Sequence, residues 1–426
     1  MDSRFDFLIL GGGIAGITAA ETIRSRDAAA SVAVVGAEPW RPYSRVALAD
    51  VVTGDKSGPE LELRPPGHWP ARGIELVTGR RAVAVDADAH EVAFDDGSRL
   101  GYGKLLIATG ARPRRLDVPG ADLLLSADGQ GAVAGAAEAS SPAVHYLREM
   151  DDALRLKDAL VGGEPVLVYG SGFVALEMAV AAHERGANVT VAMRGPDFFH
   201  REVSTAGREA IALELVTHGL EVKPGVMVVS LKTEDGYASA EFSDGSELAV
   251  RQVLVGLGLE ANVDFLEESG LLVGGQLKAD EEMRVAPDIY AAGDVAVFPD
   301  VLSGRAHARA TWQDALLQGR AAALNMLGGH ERLTSVTGHA VACFDLPIAF
   351  LGDSACPDAM NVERDYSDGS SVRLFFKDNR LVGATCVGKF VERTAATKLM
   401  TDRRPIPADR LAELADPAMP LASLLG

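Results

Sequence analysis

Cysteine is scarce in this chain of 426 residues: Cys343, Cys356 and Cys386 are the only three, and they form neither a C-x-x-C pair nor a cluster with metal-ligand spacing. They read as isolated thiols, and no metal site is expected. No cysteine precedes Cys343, so no dithiol relay, which needs an attacking thiolate and a partner sulfur, is available before it. Positive charge is also short, with 41 Lys and Arg against 60 Asp and Glu and a formal charge of −19. That balance argues against nucleic acid or an anionic membrane surface as partner. Apolar runs are broken by glycines and charges well short of a membrane span. Met1-Asp2-Ser3 leads straight into a core-like apolar run with no signal-peptide pattern, so a cytoplasmic location is expected. Repeats and low-complexity tracts of consequence are absent. Aromatics make up only 6%.

What the chain has in quantity is glycine, 45 residues, beside 47% hydrophobic residues. That mixture suits a doubly wound α/β protein with many tight turns. The glycines concentrate at two places. Gly11-Gly12-Gly13-Ile14-Ala15-Gly16 follows the apolar run 5–10, and Gly170-Ser171-Gly172-Phe173-Val174-Ala175 follows the run 166–169. The first glycine of such a turn permits a tight bend off a strand, the second lets backbone approach a pyrophosphate, and the third small residue lets the helix pack closely on the sheet. The phosphates then meet the free N–H groups and positive dipole end of a helix. One such turn arises easily by chance. Two, each between strand and helix, imply two dinucleotides on one chain and electron transfer between them. Past the first turn the spacing predicts a helix over 14–26, a strand over 31–35, and then Glu38, placed to bind the ribose hydroxyls of an adenosine.

Residues 5–116 read as one βαβ unit with added strands, closing at a buried strand over 104–107 and the turn Ala108-Thr109-Gly110. Residues 122–143, rich in Ala, Gly and Ser, read as a surface loop or mobile connection. The second unit places a helix over 173–185, stopped by Gly186, and a strand over 188–193. Residues 237–248 alternate about Asp244-Gly245 as a hairpin. The run 253–258 reads as the strand that re-enters the first domain, joined there by Gly293-Asp294 and a long helix over 310–327. From about Thr334 the character changes. Runs 341–351, 372–377 and 381–387 read as an antiparallel sheet, with Asp378-Asn379 turning the last pair, and helices follow over 391–402 and 409–415. The expected fold class is α/β: two Rossmann-like domains, the first (1–118 and 258–332) holding the second (119–257) as an insertion, plus a C-terminal α+β domain (333–426).

Over nearly its whole length the chain resembles the two-dinucleotide flavoprotein reductases of the pyridine nucleotide-disulfide oxidoreductase superfamily. The likeness is carried by Gly11 to Gly16, Glu38, Arg41-Pro42-Tyr43-Ser44-Arg45, Ala108-Thr109-Gly110, the second glycine turn and Gly293-Asp294. Within that group it is most similar to the rubredoxin and ferredoxin reductases and the flavin module of the large nitrite reductase subunit. Pro42-Tyr43-Ser44-Arg45, Thr311-Trp312-Gln313-Asp314-Ala315, Gln318-Gly319 and Leu381-Val382-Gly383-Ala384, with the tail 411–425, carry the closer likeness. The resemblance implies an FAD domain with an inserted NAD(P)-binding domain. It implies FAD against Gly11, Gly13, Ile14, Ala15, Gly16, Glu38, Arg45, Val83, Ala108, Thr109, Gly110 and Gly293, with Asp294 on the ribityl chain. The helix opening at Thr311 and Trp312 would turn its positive end to the flavin's pyrimidine edge. The nicotinamide nucleotide would lie against Gly170, Gly172, Phe173, Val174, Glu177 and Gly258. Relatives that prefer NAD place an acid at the end of the second unit's second strand. Here that position is Met193, followed by Arg194, with Arg201 beyond, so NADPH is expected to be preferred, NADH remaining possible.

Two departures stand out. The stretch Val46-Ala47-Leu48-Ala49-Asp50-Val51 lacks the redox-active cysteine pair of disulfide-bearing relatives, and Asp50 stands where many ferredoxin reductases place a lysine beside the flavin. In those proteins the lysine pairs with a glutamate matching Glu177. Glu177 is therefore either a catalytic carboxylate, with Arg45 as the other catalytic candidate, or a helix-surface carboxylate. Of nine histidines only His307 lies in a flavin-proximal segment, and it reads as a loop residue. Three function classes follow: an NAD(P)H reductase serving rubredoxin, ferredoxin or a partner redox subunit; an NAD(P)H oxidase or the flavin module of a larger reductase; and a flavoprotein used for binding or signalling. Acidic redox proteins would be repelled at −19, so docking would need a local basic patch, with Arg112, Arg114 and Arg115 the candidates. The oligomeric state stays open.

Overall fold

The first apolar run forms the strand Ser3–Leu10 in the computed structural model, which describes residues 3–124 and 142–425. The expected loop over 122–143 lies almost wholly outside the described residues. Phe7, Leu8, Ile9 and Leu10 are all buried, and a strand apolar on both faces is stable only where both faces are covered. It accordingly lies between two parallel neighbours, Val32–Val35 and Arg99–Ile107, with Leu10 opposite Val35 on one side and Ile107 on the other. Ile74–Val77 and Ile289–Ala291 extend this eight-stranded sheet, and Arg284–Ala286, Ala82–Asp86 and Glu91–Phe94 add antiparallel strands. One face buries Phe7, Ile9, Val32 and Val34 against the helices Ile14–Arg26 and Trp312–Met326. The other face buries Leu8, Leu10, Ala33 and Ile107 with Leu277 and Val295. These elements make one compact unit from three separated segments, Met1–Ser44, Pro59–Arg112 and Glu260–Thr337.

The second unit comprises Arg45–Gly58, Pro113–Leu259 and Gly338–Gly426. Its five-stranded parallel sheet runs Glu221–Pro224, Asn188–Met193, Pro165–Gly170, Gln252–Gly256, Ala143–His145. The run 253–258 thus does not re-enter the first unit. Gln252–Gly256 is an interior strand here, paired with Pro165–Gly170 and Ala143–His145, and the chain returns to the first unit only at Glu260. An apolar run reports burial on both faces and is silent on which sheet provides it. The expected hairpin is present as Tyr237–Phe242 and Glu247–Val250, with Val228–Glu234 as a third strand.

The C-terminal antiparallel sheet is ordered Gly338–Cys343, Leu346–Gly352, Arg380–Val387, Ser371–Lys377, Met360–Asp365. The expected single run 341–351 is a hairpin, broken at Phe344 with φ +52. Asp378 and Asn379 turn the last pair with φ +49 and +59, the left-handed pair a two-residue hairpin loop requires. Met360–Asp365 carries little strand signal, because one of its buried positions is the charged Arg364. Among the described residues no helix is long and apolar enough to cross a membrane.

Candidate cofactor sites

In the first unit the glycines divide their work. Gly11 leaves its strand at φ +114, and a Cβ there would lie 2.1 Å from the Ala108 carbonyl oxygen. At Gly16 a Cβ would lie 2.0 Å from the Gly11 carbonyl oxygen. Both positions are closed by the chain's own backbone. Gly13 is different: φ is −75 and nothing lies within 4 Å of a Cβ built on it. It begins Ile14–Arg26 with no side-chain cap, so no capping side chain takes up the first N–H groups of the helix. That is the cradle a pyrophosphate requires.

Glu38 follows the second strand, and the buried Tyr43 hydroxyl donates to its Oε2 at 2.6 Å, fixing the carboxylate's direction. Ala108 is tied to the first strand by its N–H to the Leu10 carbonyl at 2.8 Å. Thr109 exchanges hydrogen bonds with Asn262 at 3.0 and 2.9 Å. Gly293, at φ +82, would bring a Cβ within 3.4 Å of the Ala15 Cβ, so the Gly-Asp segment carrying Asp294 abuts the first turn of Ile14–Arg26. Gly293 N–H donates to Gln318 Oε1 at 2.7 Å. Gln318 is fully buried and its Nε2 has no hydrogen-bond partner among the described residues. An unmet buried donor costs about 1–3 kcal/mol, and a bound group with an acceptor would supply what it lacks. Next to it, a Cβ on Gly319 would lie 2.1 Å from the Ala15 carbonyl oxygen, which is why Trp312–Met326 can cross Ile14–Arg26 so closely. The residues present therefore fit a dinucleotide such as FAD. Sequence reasoning used Tyr43 and Gln318 only as marks of likeness. Their roles depend on contacts 5 and 25 residues away in the chain.

Thr311 caps Trp312–Met326, its hydroxyl accepting from Asp314 N–H at 3.1 Å, and Trp312 is 39% exposed, not a core tryptophan. His307 faces the buried Asp300 at 3.8 Å. Val83 is 48% exposed on the edge hairpin of the sheet.

The second unit repeats the division. Gly170 has φ +148, and its Cβ would lie 2.3 Å from the Gly256 carbonyl oxygen, whereas Gly172 has nothing within 4 Å and begins Phe173–Glu184 uncapped. Phe173 is held by ring contacts to Phe199, His339 and Phe350 at 4.9, 4.6 and 4.8 Å. Val174, beside it on the first turn, is half-buried, and Gly258 takes φ +90 in open space. Met193 is buried at the end of its strand, and Arg194 and Arg201 are exposed. Arg45 donates to the Arg148 carbonyl at 2.9 Å.

Glu177 is no ordinary surface carboxylate. Its helix packs against Leu48–Thr53, and burial, with the charge of Asp50 added, pushes its carboxyl up to about 7. Asp50 itself pairs with Lys56 at 2.6 Å. The unfolded chain would release the Glu177 proton near 4.5, whereas the native chain holds it to about 7, so the native state binds more protons in that window and stability falls as pH rises through it. Glu177→Gln should therefore gain about 1–3 kcal/mol over the parent at pH 8. The gain should shrink toward pH 5. Thermal melts across pH check this, and a pH-independent difference would refute it.

Arg112 does not supply a free basic patch. It is held by Glu260 at 2.6 Å and by Asp264, so its charge is more than offset. The arginine run in the sequence gave no hint of these acids, which lie about 150 residues on. The three cysteines are buried and form no disulfide, and burial pushes Cys343 and Cys386 up to about 12.

Two open second glycines, each between a parallel strand of its own sheet and an uncapped helix, define an oxidoreductase that holds two dinucleotides. Residues 5–319 match the pyridine nucleotide-disulphide oxidoreductase family, and the chain belongs to it, with FAD and a nicotinamide nucleotide as the two dinucleotides. It is 31% identical to the ferredoxin–NAD(+) reductase component of the anthranilate 1,2-dioxygenase system of Burkholderia cepacia, over 98% of this chain and 99% of that one. It is 29% identical to rhodocoxin reductase of Rhodococcus erythropolis, over 95% and 92%. Among solved structures, the reductase of the covalent putidaredoxin reductase–putidaredoxin complex superposes with a TM-score of 0.86 at 24% identity, covering 100% of this chain and 99% of that one.

Proposed function

We propose that the chain oxidises a reduced nicotinamide nucleotide in the second unit and delivers the electrons, through FAD in the first, to a small iron–sulfur or rubredoxin-type protein. The observation that carries this is the pair Gly13 and Gly172, the glycine that opens the helix in each turn, where nothing of the chain lies within 4 Å of a built Cβ. The relatives named as ferredoxin–NAD(+) reductases support the acceptor class. A bound FAD would supply the hydride-accepting and single-electron-donating chemistry that this needs. The chain's residues do the holding. Uncapped N–H groups after Gly13 would meet the pyrophosphate, Tyr43 would hold Glu38 for the ribose, and Asp294 with the amide of Gln318 would meet the remaining polar chain. Thr311 caps the helix Trp312–Met326, whose positive end would favour negative charge on a bound flavin. Glu177 sits in the second unit as a carboxyl poised near neutrality, and Arg45 as a cation anchored on Arg148. The segments 1–118 and 258–332 serve as the FAD domain, 119–257 as the nucleotide domain and 333–426 as the C-terminal domain. Three cysteines outside any disulfide suit a reducing cytoplasm.

Steady-state assays of the FAD-loaded protein with purified ferredoxins, rubredoxin, quinones and oxygen test the proposal. Nucleotide oxidation should depend on an iron–sulfur or rubredoxin acceptor. Oxygen uptake that matches nucleotide oxidation, with no stimulation by any such protein, would make the chain an oxidase instead.

A further inference from the structure

The end of the second strand in the nucleotide unit carries a feature that the nicotinamide reading alone does not use. Met193, the last residue of Asn188–Met193, is buried, so the first side chain off the strand to reach solvent is Arg194. The strand end is held in place, with Val226 N–H donating to the Met193 carbonyl and Gly225 N–H to the Gly195 carbonyl, both at 3.0 Å. From there the chain folds back onto the glycine turn. Phe198 and Phe199 are buried, Phe199 takes φ +49, and its N–H donates to the Ser171 carbonyl at 3.1 Å, inside the turn itself. Arg201, two residues on, is thereby carried on a loop pinned to that turn and is exposed. Neither Arg194 nor Arg201 has an ion-pair partner among the described residues. The acids of the same loop are engaged elsewhere: Asp197 pairs with Arg208 at 3.0 Å and lies 3.7 Å from His200, and the charge of Glu202 acts on Arg373.

Resting on the assignment of the Gly170–Gly172 turn to a nicotinamide nucleotide, we propose that Arg194 and Arg201 form a phosphomonoester subsite for the 2′-phosphate of the adenosine ribose, making NADPH the preferred donor. The ribose next to a glycine turn lies at the end of the following strand, where an acid would bond a 2′-hydroxyl and repel a phosphate. Here that acid is absent: Arg194 directly follows the strand, and Arg201 is carried on the loop that Phe199 pins to the glycine turn. A guanidinium meets phosphate oxygens through two parallel N–H bonds, which a hydroxyl cannot reciprocate.

The test is calorimetric titration of the FAD-loaded protein with adenosine 2′,5′-bisphosphate and, separately, with ADP. The bisphosphate should bind about tenfold tighter or more, as expected for at least one charge-assisted hydrogen bond made only to it. Arg194→Ala with Arg201→Ala should abolish that difference while ADP binding, and with it proof of a folded site, is kept. Arg194→Lys should fall between, keeping charge and losing the bidentate fork. The ratio of kcat/KM for NADPH over NADH should drop in parallel. Equal affinities, or tighter ADP, would overturn the subsite and leave the nucleotide assignment standing. Failure of both probes to bind would overturn the assignment as well.

Discussion

Gly13→Ala is expected to give a chain that folds and does not hold FAD. The methyl group meets nothing of the protein within 4 Å and the backbone at φ −75 suits any residue, so the apo protein should keep its circular dichroism and melting point. On the proposed assignment, the same methyl group would stand where the pyrophosphate comes up to bare backbone. Losing one or two charge-assisted hydrogen bonds there costs about 3 kcal/mol or more, roughly a hundredfold in FAD affinity. Gly16→Ala makes the contrast, because its methyl group would sit 2.0 Å from a backbone carbonyl oxygen and should cost stability and FAD together. The ratio of flavin to protein absorbance after gel filtration, alongside melts of the apo forms, reads both. Wild-type flavin content in Gly13→Ala would refute the assignment of the cradle.

The second large effect lies far from the glycine turns. Arg364 is fully buried on its edge strand and fastens the last stretch of chain: it donates to the carbonyls of Leu414 at 2.6 Å and Met419 at 2.7 Å, to the Tyr366 hydroxyl at 3.0 Å, and pairs with Glu392 at 3.2 Å. Tyr366 donates in turn to Glu392, and burial with that bond pushes its hydroxyl up to about 12. Arg364→Met removes the only guanidinium of this cluster and strands a carboxylate and several carbonyls, which should cost about 3–5 kcal/mol. Urea denaturation measures it. Adding Glu392→Gln should recover part of the loss, since the unpaired charge is the larger share. An unchanged midpoint in Arg364→Met would show the cluster to be idle.

That same arginine marks the limit of what the chain shows before folding. Helices 14–26 and 173–184 and the strand 188–193 were legible because apolar period and glycine punctuation agree there. Met360–Asp365 was not, because a charge occupies a core position. The strand 252–256 was legible as a strand and misplaced as to sheet, since register and neighbour are decided by side chains a hundred residues apart. At the candidate site, the glycines, Glu38 and Asp294 are proposed from spacing alone. Gln318 and Tyr43 are not, for their value lies in a single contact that only the folded chain makes. Arg112 shows the reverse: a basic run in the sequence is neutralised by acids that arrive from elsewhere.

The three-segment construction of the first unit also sets a timetable for synthesis. The helix Ile14–Arg26 emerges early, but the helix that covers it, joined at Ala15 and Gly319, is Trp312–Met326. A ribosome must therefore extrude the whole inserted stretch before the first glycine turn gains its cover and Gln318 its place beside Gly293. With the flavin held as proposed, its loading is a late event on the nascent chain, and the apolar face of the opening strands has to be shielded until then.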